Sequence, residues 1–142
     1  MKKIIKLALI TIISLSILTA CSLFEGKEQT KIFELTNDNV TQRVEYTYKK
    51  DTVTKSKHSF IFTVQGELQK DIASQILNNI AKQYENKDGI TMTNNTNGNN
   101  LEMIVDIDYS KVKDNDTSKL NIKNIEEKSL KDGFKEIKKE TN

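Results

Sequence analysis

Val40 to Lys49 reads VTQRVEYTYK, an alternation of apolar and polar residues. Val40, Val44, Tyr46 and Tyr48 fall on one side, while Thr41, Arg43, Glu45, Thr47 and Lys49 fall on the other. Successive side chains of a strand point to opposite faces, so a period of two with one apolar set predicts a half-buried β-strand. Before it, Lys31 to Thr36 (KIFELT) alternates around Phe33 and Leu35, and Asn37-Asp38-Asn39 follows as a turn cluster. On the other flank Lys50-Asp51 turns the chain into Val53 to Val64 (VTKSKHSFIFTV). Three short strands with tight turns predict an antiparallel meander with one buried face.

The period then changes. From Glu67 to Tyr84 the residues Leu68, Ile72, Ala73, Ile76, Leu77, Ile80, Ala81 and Tyr84 recur at three and four, which predicts an amphipathic helix that Gly89 stops. A hairpin is expected next, from Ile90 to Asn94 and from Leu101 to Tyr109, around a type I′ turn at Asn97-Gly98. In its second strand Leu101, Met103, Val105, Ile107 and Tyr109 face the helix, and Glu102, Ile104, Asp106 and Asp108 face away. A shorter helix is expected from Asn124, capped by that side chain with Glu127 reaching back, and ended by Gly133. The order of three strands, helix, two strands, helix predicts an α+β domain, with helices packed on one face of an antiparallel β-sheet.

The first thirty residues carry an address. Met1 to Lys6 is positively charged and Leu7 to Leu18 is apolar, too short a run to cross a bilayer, which needs about 20 residues. Leu18-Thr19-Ala20-Cys21 then resembles the lipobox of bacterial lipoproteins. That resemblance implies a diacylglyceryl group on the Cys21 thiol and cleavage in front of it. The expected organisation is a signal peptide over 1–20, a lipidated tether over 21–30 and one domain over 31–142. The expected location is outside the cell, lipid-anchored to the outer face of the cell membrane, or to the outer membrane of a cell that has two.

Of the 22 basic residues, Lys2, Lys3 and Lys6 lie in the leader, and removing those three leaves 19 against 20 acidic ones. A near-neutral domain lacks the charge that nucleic-acid binding requires. One cysteine closes no internal disulfide, so the exported domain relies on core packing.

Candidate chemistry is sparse. His58 is the one histidine, and alternation places it on the face of Phe60 and Phe62, as a core or edge residue. Asp106 and Asp108 share a strand face about 7 Å apart, where they suit a divalent cation or acid and base work. The plainer reading is a solvated face paired across strands with residues such as Arg43 and Lys49. Asp114 to Ser118 opens like a calcium loop, but Lys119 and Ile125 stand where Gly and Glu belong. Tyr46 and Tyr48 suit either a ligand groove or the core.

With these pieces placed, the exported region resembles the YehR-like family of small bacterial lipoproteins. The resemblance rests on Phe33-Glu34-Leu35, Val44 to Lys49, Val53-Thr54-Lys55, Lys82-Gln83-Tyr84 before Gly89, Val105 to Tyr109, and Leu130 to Ile137. It implies an α+β fold and surface anchoring, and it carries over no active site. The leading expectation is a membrane-anchored, non-catalytic binding or envelope-associated module without a cofactor, held by lipid on Cys21 and meeting a protein or small ligand. The alternative is a small metal-dependent or hydrolytic enzyme using His58 with Asp106 or Asp108.

Overall fold

The structure is a computed structural model that describes residues 26–113 and 120–139. Leu18, Thr19, Ala20 and Cys21, most of the expected tether, and the Asp114 to Ser118 loop lie outside the described residues. Within them, six strands form one antiparallel sheet accompanied by two helices, an α+β fold. The strands are β1 (Glu28–Asn37), β2 (Val40–Lys49), β3 (Thr52–Thr63), β4 (Ile90–Asn97), β5 (Asn100–Asp108) and β6 (Lys135–Ile137). The helices are α1 (Glu67–Tyr84), between β3 and β4, and α2 (Ile122–Lys131), between β5 and β6. In space the strand order is β4-β5-β3-β2-β1-β6.

Alternation assigns the inward face as read from the sequence. Val40, Val44, Tyr46 and Tyr48 of β2 are buried, and so are Leu101, Met103, Val105 and Ile107 of β5, with Tyr109 just beyond it. The inward residues of these strands join Ala73, Leu77, Ile80 and Tyr84 of α1 and Ile122 and Ile125 of α2 in a single core. Phe33, Tyr46 and Phe60 are each 1% exposed, and burying a side chain of this size contributes roughly 1.5–3 kcal/mol. Phe33 and Tyr46 meet edge to face at 6.1 Å, the arrangement that the ring quadrupoles favour.

Three local departures have physical causes. First, β3 carries a bulge: Thr47 pairs with Lys55 but Tyr48 pairs with Val53, so Thr54 is extra. Strict alternation from Lys55 would put Val53 on the outward face, and the extra residue turns it into the core, where it is 1% exposed. Second, the β4–β5 turn is centred on Gly98-Asn99 rather than Asn97-Gly98, since Asn97 still pairs with Asn100. Gly98 alone there has positive φ, at 58°, which fits a type II′ turn rather than the expected type I′. Third, β6 was not legible as a strand. It pairs antiparallel with β1, setting Ile137 beside Ile32, and Ile32 is 7% exposed although it points to the outward face.

α2 begins one turn earlier than expected. Asn121, not Asn124, is its N-cap and accepts hydrogen bonds from the backbone N–H groups of Lys123 (2.9 Å) and Asn124 (3.4 Å). The earlier start brings Ile122 into the buried stripe with Ile125 and Ser129. A bridge from Asn121 to Thr52 and a 2.9 Å bond from the Ile122 N–H to the Asp51 carbonyl fix this end of α2 to the β2–β3 turn.

Candidate functional site

His58 lies where alternation puts it, on the inward face, and it is 1% exposed. Its Nε2 is 3.0 Å from Ser56 Oγ, which lies 2.9 Å from Tyr109 Oη. Ser56 and His58 are neighbours on one face because they are two residues apart on β3, and pairing of Ser56 with Ile107 brings Tyr109 into reach. The Tyr46 ring stands edge-on to the imidazole at 6.1 Å. Burial lowers the His58 pKa to about 4, so the ring is neutral at physiological pH. Burial also pushes the Tyr109 hydroxyl up to about 12 and the Tyr46 hydroxyl well above its ordinary value. Every member of this network is sealed from solvent, and Tyr46 and Tyr48 are core residues rather than groove lining.

The two carboxylates sit on the other side of the sheet. β3 and β5 pair so that His58 is opposite Val105, while Lys57 is opposite Asp106 and Lys55 opposite Asp108. Opposed residues share a face, so one residue of offset sends the His58 ring into the core and the Asp106 and Asp108 side chains outward. The structure therefore does not bring His58 together with Asp106 or Asp108 on one face of the sheet. Arg43 and Lys49 are likewise not the partners of these carboxylates, because β5 neighbours β3 and not β2. Arg43 instead forms a fork with Glu34, with bonds of 2.9 and 2.6 Å.

The outward face is a lattice of alternating charge. Across β2, β3 and β5 one row runs Glu45, Lys57, Asp106, and the next runs Thr47, Lys55, Asp108. These residues, with Thr91 and Lys111, line an open polar concavity of about 510 Å³. Partial burial works to raise the Asp108 pKa, but hydrogen bonds from the Ser110 hydroxyl and N–H, with Lys111 and Lys55 nearby, hold it below the usual carboxylate value. Among the described residues no three histidine, cysteine or carboxylate side chains are grouped to hold a metal ion. The lysines between these carboxylates already balance the charge a cation would meet. The lysine half of this face was missed in the sequence because its signal is cross-strand register, which one strand alone does not disclose.

A second depression, apolar and about 280 Å³, lies at the other end of the sheet between Val40, Phe62 and Val64 and the Ile72, Ala73 and Ile76 side of α1.

This architecture places the chain among small α+β domains built on a six-stranded antiparallel sheet with two helices. More narrowly, the chain belongs to the family described as protein of unknown function (DUF1307), which matches residues 29–140. It is 27% identical over 137 residues to the uncharacterized lipoprotein Lin0239 of Listeria innocua, covering 86% of this chain and 88% of that one. To the uncharacterized lipoprotein Lmo0207 of Listeria monocytogenes it is 27% identical over 105 residues, covering 72% and 67%. Among solved structures it is similar to the Escherichia coli YehR protein, with a TM-score of 0.67 and 23% identity over 82% of this chain and 96% of that one. A protein from Streptococcus pneumoniae TIGR4 matches with a TM-score of 0.54 and 15% identity over 87% and 92%. The resemblance to the YehR-like family read from the sequence therefore stands, and these structures share the fold.

Proposed function

We propose that the chain is a lipoprotein held by lipid on Cys21 to the outer face of the cell membrane. Its exported domain is a non-catalytic module that binds a polar partner in the concavity of the outward sheet face. The anchor is supported by the Leu18-Thr19-Ala20-Cys21 lipobox behind an apolar leader and by the names of the two Listeria relatives. Two or three acyl chains, at about 0.8 kcal/mol per buried CH₂, hold a protein where one chain does not.

The binding reading is carried by one observation. The histidine is sealed in the core, while the carboxylates face outward with lysines opposite them, so the accessible face is equipped to recognise charge and not to transfer protons. Both helices cover the inward face in this reading and leave the outward face free. Neither Lys57 nor Asp106 has an ion-pair partner within 4.0 Å among the described residues, and both are exposed.

The test has two parts. Mass spectrometry of protein extracted from cells should show an acylated Cys21 as the first residue, and a retained leader or a free thiol overturns the anchor. For binding, amide chemical shifts of the domain are followed during titration with charged peptides and small polar ligands. Perturbations should cluster on β3 and β5 and disappear in Lys57→Glu with Asp106→Lys. Perturbations confined to the apolar depression beside α1 overturn the assignment to the outward face.

A further inference from the structure

Glu28 and Gly26 fix where the tether joins the domain. Glu28 pairs with Lys49, Gly26 packs against Lys50, and an added Cβ on Gly26 would lie 3.3 Å from Lys50 Cγ. The chain thus enters beside the β2–β3 turn, at one end of the long sheet axis. Between Cys21 and Gly26 an extended chain reaches at most about 18 Å, so a lipid on Cys21 keeps this end close to the bilayer.

The charges at this end are lopsided. Lys111 pairs with Asp108 (3.7 Å), Lys113 with Asp88 (2.7 Å) and Lys123 with Asp51 (3.3 Å). Lys27, Lys49, Lys50 and Lys55 have no ion pair within 4.0 Å among the described residues, Glu28 is unpaired opposite Lys49, and Asp108, already paired with Lys111, faces Lys55. Glu28, Lys49, Thr54, Lys55, Asp108 and Ser110 also surround an open cleft of about 380 Å³. At the opposite end Asp38 stands in the β1–β2 turn, and Glu67 and Asp71 flank Lys70 at the start of α1.

We infer that the tether end docks on anionic lipid headgroups, with Lys27, Lys49, Lys50 and Lys55 meeting the phosphates of the membrane that holds the anchor. The occupant follows from position and sign together, since the tether presents this end to the surface whose charge it complements. Docking rests on the anchor proposed above and adds orientation to it: the long axis of the sheet stands away from the membrane. Each lysine brought to an anionic surface strengthens docking roughly fivefold, and salt removes the effect.

The mature lipidated protein is reconstituted in vesicles of phosphatidylcholine alone, or of phosphatidylcholine and phosphatidylglycerol in equal parts. Flotation reports anchoring, and amine-reactive labelling read by mass spectrometry reports which lysines are covered. On the anionic vesicles Lys49 and Lys50 should lose reactivity severalfold relative to Lys70 and Lys131, and recover it at high salt. In the triple variant Lys27→Gln, Lys50→Gln, Lys55→Gln, the protection of Lys49 should vanish while flotation is kept. Flotation on both vesicles with equal labelling overturns the docking and leaves the anchor intact. Salt-sensitive flotation on anionic vesicles alone supports the docking and removes the anchor, and flotation on neither overturns both. Protection on native membranes but not on vesicles assigns the lysines to a protein partner and overturns the lipid assignment.

Discussion

His58 shows what burial does to a titratable side chain once its neighbours are a hydroxyl and an aromatic ring instead of a carboxylate. Its folded pKa of about 4 lies below the ordinary histidine value of 6.5, so the unfolded chain takes up the proton first. Stability drawn from the neutral ring is therefore complete above about pH 6.5, drains away as the pH falls toward 4, and levels off below that. The shift corresponds to about 3 kcal/mol for a fully buried group. The Asp108 carboxylate, whose pKa is lowered, contributes in the same direction but at lower pH, below its ordinary value of 3.8. Urea unfolding should show a midpoint that falls between pH 6.5 and 4.5, and in His58→Leu that fall should be absent whatever the absolute stability of the variant. A wild-type midpoint that is flat across this window would mean that the imidazole is solvated or paired in the folded state.

At the scale of elements, the start of α2 depends on which of two asparagines, three residues apart, caps it. Asn121 accepts from two backbone N–H groups, while Asn124 lies within the first turn. Removing a cap side chain costs about 1 kcal/mol, so Asn121→Ala should lower stability by about that much in chemical denaturation. Asn124→Ala, inside the helix, should change it by less than about 0.5 kcal/mol. The reverse ranking would return the cap to the position expected from the Asn124 and Glu127 spacing. That error shows where sequence reading loses resolution. Long periodic elements were legible, since β2 and α1 have the bounds their periods predict, and the faces of His58, Asp106 and Asp108 followed from alternation. Short or coupled features were not. β6 has three residues, too few to display a period, and exists because the edge of β1 and the outward Ile32 need a cover. The bulge at Thr54 and the facing of Lys57 on Asp106 depend on register between strands, which pairing decides and which no single strand encodes.

At the scale of the molecule, the 19 basic and 20 acidic residues from Cys21 onward nearly balance, so what sets one end of the sheet apart is where its unpaired lysines fall. β2 spans ten residues, about 30 Å at the rise of a strand, and this length separates the tether end from the apolar depression at Val40, Phe62 and Val64. With the lysine end against the membrane, the depression points outward, and the charged concavity lies along the flank. Orientation of this kind depends on the short tether as well as on charge, because the anchor sets the effective concentration of lysines at the headgroups. Inserting ten Gly/Ser residues between Phe24 and Glu25 triples the five-residue stretch before Gly26 and lowers that concentration roughly fivefold, by the three-halves power of length. Anchoring should be unchanged in the insertion variant, since the acyl chains are untouched, while the salt needed to restore Lys49 and Lys50 labelling on anionic vesicles should fall. If the longer tether leaves the salt dependence as it was, the lysines are held at the membrane by contacts stronger than tethered electrostatics.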